Sequence, residues 1–108
     1  NRDLDRAEEL ILLALDISPN EGYIWDTYAW ILYQKGDYAK AKEAIDYALQ
    51  YIADYLNPAT YYLHAGDIYY KVGQKKKANA FWQKALRSAT DTQEKAEINK
   101  RIKTQRVP

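Results

Sequence analysis

Apolar side chains recur at intervals of three and four positions along most of this chain, and short polar stretches interrupt them. Residues at that spacing lie on one face of an α-helix, so each stretch predicts an amphipathic helix. The turns between them are short, which predicts antiparallel packing of neighbouring helices. The predicted helices span residues 3–17, 22–35, 38–55, 59–72, 75–89 and 92–106.

The apolar pattern is itself repeated. Eight positions recur at a constant offset of 37 residues, as Trp25, Tyr28, Ala29, Leu32, Gly36, Ala41, Ile45 and Ala48, then Tyr62, Ala65, Gly66, Tyr69, Gly73, Ala78, Trp82 and Ala85. Upstream, Ala7, Ile11 and Ala14 match the second half of this unit at an offset of 34, and Pro19 follows them. Small residues let two helices approach closely, and large ones fill the remaining space. Gly36 and Gly73 suit the positive-φ position that follows a helix.

This arrangement resembles the tetratricopeptide repeat family, whose pattern is Trp-x2-Leu-Gly-x2-Tyr, then Ala-x3-Phe, then Pro, with a period of 34 residues. The resemblance covers about residues 3–90. It implies an all-α fold of about six helices, in which antiparallel helical hairpins stack into a right-handed superhelix. Tyr28 stands where Leu is usual, Ala29 where Gly is usual, and only Pro19 remains of the closing prolines.

The repeat also predicts how the chain is organised. We expect one domain, residues 1–108, made of the second helix of a truncated repeat (3–19), two full repeats (22–57 and 59–90) and a C-terminal capping helix (91–108). The three extra residues between the full repeats predict either a third helix that ends near Leu56 or a bulge before Pro58.

The capping helix is polar. Asp91 precedes Glu94 by three residues, which predicts a capping box, and the apolar stripe is thin, with Ala96, Ile98 and Ile102.

Composition removes several classes of function. Sixteen basic and 15 acidic side chains give a net charge of +1, which argues against a general polyanion surface, so no nucleic-acid partner is expected. The absence of Cys excludes thiol catalysis and cysteine metal sites. No apolar run approaches the ~20 residues that a membrane span needs.

The chain has no Met, even at its first position, so we expect residue 1 to be a cut boundary. The stretches 26–30 and 64–73 resemble the last repeats of large bacterial tetratricopeptide proteins, which implies a C-terminal fragment from a bacterium. Targeting signals would then lie outside this segment, and the compartment stays open between the cytoplasm and the cell envelope.

No constellation of catalytic groups has a recognisable spacing, so we expect no enzyme, no cofactor and no metal site. His64 is the one histidine, and we interpret it as an interhelical or groove-lining polar residue in preference to a metal ligand. Lys75, Lys76 and Lys77 form the densest charge run. They indicate either a solvated turn, which we favour, or a contact with an anion or a nucleic acid. Arg101 in the last helix is interpreted as solvated.

In the family that this chain resembles, the first helix of each hairpin lines the concave wall that binds partners. The residues that this implies for partner binding are Tyr23, Asp26, Thr27, Trp30, Tyr33, Gln34, Thr60, Leu63, His64, Asp67, Tyr70 and Lys71. Trp30 either contacts a ligand or packs on the next hairpin. Because acidic and aromatic residues occupy this wall, a carboxylate clamp for chaperone tails is not expected.

The resemblance thus implies a non-enzymatic scaffold that binds a protein or peptide. The alternative is a structural or oligomerisation segment of a longer solenoid. The first helix lacks its hairpin partner, which predicts an apolar face available for self-association, formed by Leu4, Ala7, Leu10, Ile11, Ala14 and Leu15.

Overall fold

A computed structural model describes residues 2–108, which form six α-helices and no β-strand. The helices are α1 (Arg2–Ile17), α2 (Gly22–Gln34), α3 (Tyr38–Gln50), α4 (Ala59–Lys71), α5 (Lys75–Ser88) and α6 (Thr92–Thr104). The all-α prediction is confirmed. The chain divides into two compact units, Asn1–Asp54 and Tyr55–Pro108. The first unit contains the hairpin α2–α3 and helix α1, and the second contains the hairpin α4–α5 and helix α6.

A glycine with positive φ ends the first helix of each hairpin, as predicted. Gly36 has φ of 84° and Gly73 has φ of 88°. In the first hairpin the Gly36 amide donates to the Tyr33 carbonyl at 3.0 Å, and the Asp37 amide donates to the Leu32 carbonyl at 2.9 Å. The second turn repeats this bonding. These bonds satisfy carbonyls at the helix end and turn the chain back at once, so the two helices pack antiparallel.

Each unit buries a core of alternating small and large side chains. The residues with at most 2% of their surface exposed in the first unit are Ala29, Leu32, Ala41, Ala44, Ile45 and Ala48. Their counterparts in the second unit include Ala65, Ile68, Ala78, Trp82, Ala85 and Ile98. The prediction that small residues lie where the paired helices pack closely is therefore confirmed in both hairpins.

Helix α3 ends at Gln50, five residues before the predicted end at residue 55. The extra residues between the repeats form a turn, in which Tyr55 is 88% exposed, so the bulge before Pro58 is the correct alternative. Asn57 organises the end of this turn. Its Oδ1 accepts a hydrogen bond from the Ala59 amide at 2.9 Å, and its Nδ2 donates to the Ser88 carbonyl at 2.8 Å. These bonds anchor the start of α4 on the end of α5.

The exposed face of α1 differs from the predicted one. Leu15 is buried, Leu4, Ala7, Ile11 and Ala14 are half-buried, and of the six residues expected on this face only Leu10 is exposed. The large apolar side chains of the helix that are exposed are Leu10, Leu12, Leu13 and Ile17. The prediction failed because it assigned a single apolar face, whereas α1 is apolar on two sides and packs one of them against α2.

Lys35, which follows α2, joins α1 to the hairpin. Its Nζ lies 2.6 Å from Oδ1 of Asp5 and 2.7 Å from Oε1 of Glu8. The hydrogen bond from Lys35 and its positive charge hold the pKa of Asp5 below its ordinary value of 3.8. The hydrogen bonds to Asp5 and Glu8 raise the pKa of Lys35 above its ordinary value of 10.5. Asp5 and Lys35 are therefore both charged across the neutral range.

We expect a Lys35→Gln variant to unfold at a lower urea concentration than the parent at pH 7. The depressed pKa of Asp5 contributes stability that is present above 3.8 and lost as the pH falls through the folded value. The raised pKa of Lys35 contributes stability that is present below 10.5 and lost as the pH rises through the folded value. The difference between the urea midpoints of parent and variant should thus vanish near pH 2. Lys40→Gln serves as the surface control, and a difference that persists near pH 2 would contradict this explanation.

Candidate functional site

The predicted partner-binding residues of α2 lie on one arc of the helix, about 120° wide at 100° per residue. One side of this arc is exposed and consists of Tyr23, Thr27 and Gln34, with Tyr23 at 57%. The other side is half-buried and consists of Asp26, Trp30 and Tyr33. We call these the exposed sector and the lateral sector. The most accessible aromatic ring of α2 is therefore Tyr23.

The Trp30 side chain is held by aromatic neighbours of its own hairpin. Its ring stacks on Tyr33 with a centroid separation of 4.6 Å and an interplanar angle of 8°. Tyr33 in turn contacts Tyr38, at the start of α3, at 5.5 Å and 59°. Stacking fixes the orientation of these rings, so Trp30 and Tyr33 form a rigid edge beside the exposed sector.

The equivalent positions of α4, 37 residues later, show the same division. Thr60 and Lys71 are exposed and His64 is half-buried, which makes these three the exposed sector of the second hairpin. The lateral sector consists of Leu63, Asp67 and Tyr70. Leu63 and Tyr70 are half-buried, but Asp67 is only 1% exposed. The prediction that Asp67 faces a partner is therefore wrong.

Asp67 is buried because three hydrogen bonds satisfy its carboxylate. Arg101 of α6 donates from Nε to Oδ1 at 2.8 Å and from Nη2 to Oδ2 at 3.0 Å. The indole Nε1 of Trp82 donates to the same Oδ1 at 3.0 Å. A bidentate guanidinium and an indole N–H together replace the water that a carboxylate would otherwise need.

Arg101 is the residue that sequence reasoning missed. It was interpreted as solvated, whereas it is 8% exposed and closes α6 onto α4. Its Nη1 also donates to the Glu97 carbonyl at 3.0 Å. The available signal was the spacing, because Asp67 and Arg101 are 34 residues apart, which is one period of the repeat.

A second contact at the same spacing supports this register. The Thr60 hydroxyl donates to Oε2 of Glu94 at 2.6 Å, again across 34 residues. The Asp91 side chain accepts from the Glu94 amide at 2.8 Å, which confirms Asp91 as the predicted cap of α6. Helix α6 thus packs beside α5 and reaches α4 through two side-chain contacts, one with Asp67 of the lateral sector and one with Thr60 of the exposed sector.

Only part of the apolar stripe predicted along α6 is buried. Ile98 is fully buried and Ile102 is half-buried, but Ala96 is exposed. Arg101 takes the remaining place on the buried side, and this explains how a helix with so few apolar residues docks.

The described residues offer little for metal or acid–base chemistry. Within residues 2–108 no group of three or more His, Asp and Glu side chains is arranged to hold a metal ion. The one buried carboxylate, Asp67, is committed to Arg101 and Trp82. Across the same residues, none of the helices has the length and apolar character needed to cross a bilayer.

Comparison with known proteins places these hairpins in a family. No curated protein matches the chain significantly. The family model described as tetratricopeptide repeat matches residues 23–55 and 59–92, which is well over half of the chain. The two matched segments coincide with the hairpins α2–α3 and α4–α5, each followed by its turn. The chain belongs to the tetratricopeptide repeat family.

Proposed function

We propose that this chain is a non-enzymatic module that binds a segment of another protein through the exposed sectors of its first helices. Tetratricopeptide repeats generally mediate protein–protein interactions and scaffolding. The observation that carries the proposal is Tyr23, a 57% exposed aromatic side chain on the same arc as the exposed Thr27 and Gln34. A partner that covers Tyr23 gains a large amphipathic contact at a low cost in side-chain entropy.

The exposed sector of α2 and that of α4 are each chemically suited to a polar ligand. On α2 the phenol of Tyr23 and the amide of Gln34 both donate and accept hydrogen bonds. The Thr27 hydroxyl bonds to the Tyr23 carbonyl at 3.0 Å and leaves its methyl group toward a ligand. On α4, His64 and Lys71 add an imidazole and a cation, which suit a ligand that carries carboxylates.

The burial of the lateral sectors of α2 and α4 favours the structural alternative. Asp67 in α4 is covered by α6, and its equivalent in α2 is Trp30, which is half-buried. The structural alternative therefore assigns Trp30 to packing between repeats and leaves the hairpins to extend a longer solenoid. Under our proposal Trp30 supports the edge of the ligand surface and does not form its centre.

The apolar side of α1 also favours the structural alternative. Leu10 is 57% exposed, whereas Ala44, its equivalent in α3, is 2% exposed. A helix that occupied this side, from a preceding hairpin or from a second copy of the chain, would cover Leu10, Leu13 and Ile17. Self-association through α1 belongs to this alternative and uses these three residues.

We expect Tyr23 to dominate the binding of peptides selected on this protein. A displayed library of random peptides would be enriched on the parent chain, and the affinity of the best peptide measured by fluorescence anisotropy. Changing Tyr23 to Ala should weaken binding by about 30-fold or more, as removal of a 2 kcal/mol hot spot does. Thr27→Ala should weaken it by about 3-fold to 10-fold.

Tyr55→Ala is the matched control, because Tyr55 is 88% exposed and lies in a turn outside both sectors. It should leave the affinity unchanged. Selection of no peptide, or of peptides that bind the Tyr23→Ala protein as tightly as the parent, would favour the structural alternative. Circular dichroism of each variant verifies that the helices are retained.

A further inference from the structure

Positively charged side chains are concentrated on helix α5. It contains Lys75, Lys76, Lys77, Lys84 and Arg87, all of them exposed, and no acidic residue. At 100° per residue, Lys76, Lys77, Lys84 and Arg87 lie within an arc of about 100°. The solvent side of α5 is thus uniformly cationic, although the net charge of the chain is only +1.

An aromatic cleft opens beside this cationic face. It has a volume of about 260 Å³ and is lined by Tyr69 of α4 and by Lys77, Ala80, Phe81 and Lys84 of α5. Tyr69 and Phe81 form its floor, with ring centroids 5.0 Å apart. The two lysines stand at its rim, and the Lys84 ammonium lies 5.7 Å from the Phe81 centroid.

The first hairpin has a cleft at the equivalent place with a different charge. That cleft, of about 210 Å³, is lined in part by Lys40, Glu43 and Tyr47. These residues are the equivalents of Lys77, Ala80 and Lys84, 37 positions earlier. The repeat fold therefore does not require two lysines at this cleft, and their presence in the second hairpin calls for a separate explanation.

We propose that this second surface, on α5, docks an acidic protein segment in which one apolar side chain is flanked by carboxylates. The apolar side chain enters the cleft over Tyr69 and Phe81, and the carboxylates pair with Lys77 and Lys84. Seven positions of helix separate these lysines by about 10 Å along the axis. In an extended segment the residues two positions before and two positions after the apolar side chain share its face, and they are about 13 Å apart at about 3.3 Å per residue, a span that the long lysine side chains can meet.

The aromatic rings favour a protein segment over a single-stranded nucleic acid. Bases bind by stacking on open aromatic planes. Tyr69 is only 7% exposed, and Phe81 is packed between Tyr69, Tyr62 at 6.3 Å and the Lys84 ammonium. What remains accessible is an apolar depression, which admits an aliphatic side chain and gives a base no plane to stack on.

The test uses the whole chain and three probes at about 0.15 M salt, near physiological ionic strength. The first probe is a peptide with the core Glu-Glu-Leu-Glu-Glu, the second has Gly in place of Leu, and the third is oligothymidylate of about ten nucleotides. We expect the Leu peptide to shift the amide resonances of Lys77, Ala80, Phe81 and Lys84. It should bind at least about 5-fold more tightly than the Gly peptide, because only the Leu side chain removes the apolar surface of the cleft from water.

The variant that tests the cationic rim is the double change Lys77→Gln, Lys84→Gln. It removes two surface ion pairs and should weaken the Leu peptide by about 10-fold. The control is Lys40→Gln, at the equivalent position of the first hairpin, which should bind like the parent. Equal binding of the Leu and Gly peptides, tighter binding of the oligonucleotide, or unchanged binding by the double variant would each overturn the proposal. None of these results bears on Tyr23, which lies in the other unit.

Discussion

Replacing Arg101 with Met lowers the free energy of unfolding by about 3–5 kcal/mol, because it leaves the carboxylate of Asp67 buried without its counter-charge. Asp67 is 1% exposed, and its one remaining hydrogen bond would come from Trp82. The loss should appear first as faster amide hydrogen exchange in α6, which Arg101 fastens to α4. Repeat proteins transmit such losses chiefly to neighbouring elements, so the α2–α3 hairpin should keep its protection.

The double variant Asp67→Leu, Arg101→Met distinguishes the cost of leaving the Asp67 carboxylate buried without Arg101 from the net contribution of the ion pair. Because replacing both members of a buried pair with apolar residues is often close to neutral, it should be more stable than the Arg101→Met protein. Glu97→Gln is the surface control, since its carboxylate lies 3.5 Å from the guanidinium and is 52% exposed. A loss below about 1 kcal/mol for Arg101→Met in urea denaturation would contradict a buried, charge-dependent closure of α6.

Changing Gly66 to Ala destabilises the protein by about 3 kcal/mol, near the upper end of what overpacking costs. A β-carbon at this position would lie 2.3 Å from Cδ1 and 2.4 Å from Nε1 of Trp82. The indole has no room to yield, because it is fully buried and bonded to Asp67. Displacing it therefore disturbs both the packing of α4 on α5 and the hydrogen bonds of the buried carboxylate.

The first hairpin shows which second substitution should relieve the clash between a β-carbon at position 66 and Trp82. Its equivalent pair is Ala29 and Ile45, both fully buried, so an alanine is accommodated where the facing residue is smaller. In a Trp82→Ile background, Gly66→Ala should cost less than about 1 kcal/mol. The measurement is urea denaturation of the parent, the two single variants and the double variant. If Gly66→Ala lowers the free energy of unfolding equally with Trp82 and with Ile at position 82, the clash with Trp82 is not the cause.

The hairpins were predictable from the sequence because their signals are local and duplicated. Helical spacing of apolar residues predicted α2 and α4, and Gly36 and Gly73 predicted the turns that follow them. The end of α3 was not predictable in the same way. Apolar residues at 52–56 continue the helical period, but the Asn57 side chain bonds to Ala59 and Ser88 and so completes a turn before α4.

The candidate site was predicted less well, because a helical position does not say what covers it. Tyr23 and Asp67 were assigned to the same surface by register alone, yet one is 57% exposed and the other 1%. What separates them is α6, which docks through the Arg101 guanidinium and only two apolar side chains, Ile98 and Ile102. A polar helix conceals such a contact, since the polar neighbours of Arg101 in sequence, Asn99, Lys100 and Lys103, are exposed.

The exposed face of α1 was misassigned for a related reason. Both sides of the helix are apolar, so the helical spacing of apolar residues does not indicate which side packs against α2. The cluster of Lys35 with Asp5 and Glu8 settles the orientation, and it joins residues 27 and 30 positions apart that no local pattern connects.

The central claim is that the exposed sectors of the first helices bind a protein segment, and amide chemical-shift mapping tests it most directly. The measurement is a titration of the isotopically labelled parent chain with the best peptide from the library selection. We predict shifts concentrated at Tyr23, Thr27 and Gln34 of α2, with α1 and α6 unchanged. Shifts confined to α1, or to the cationic face of α5, with none on α2, would contradict the claim.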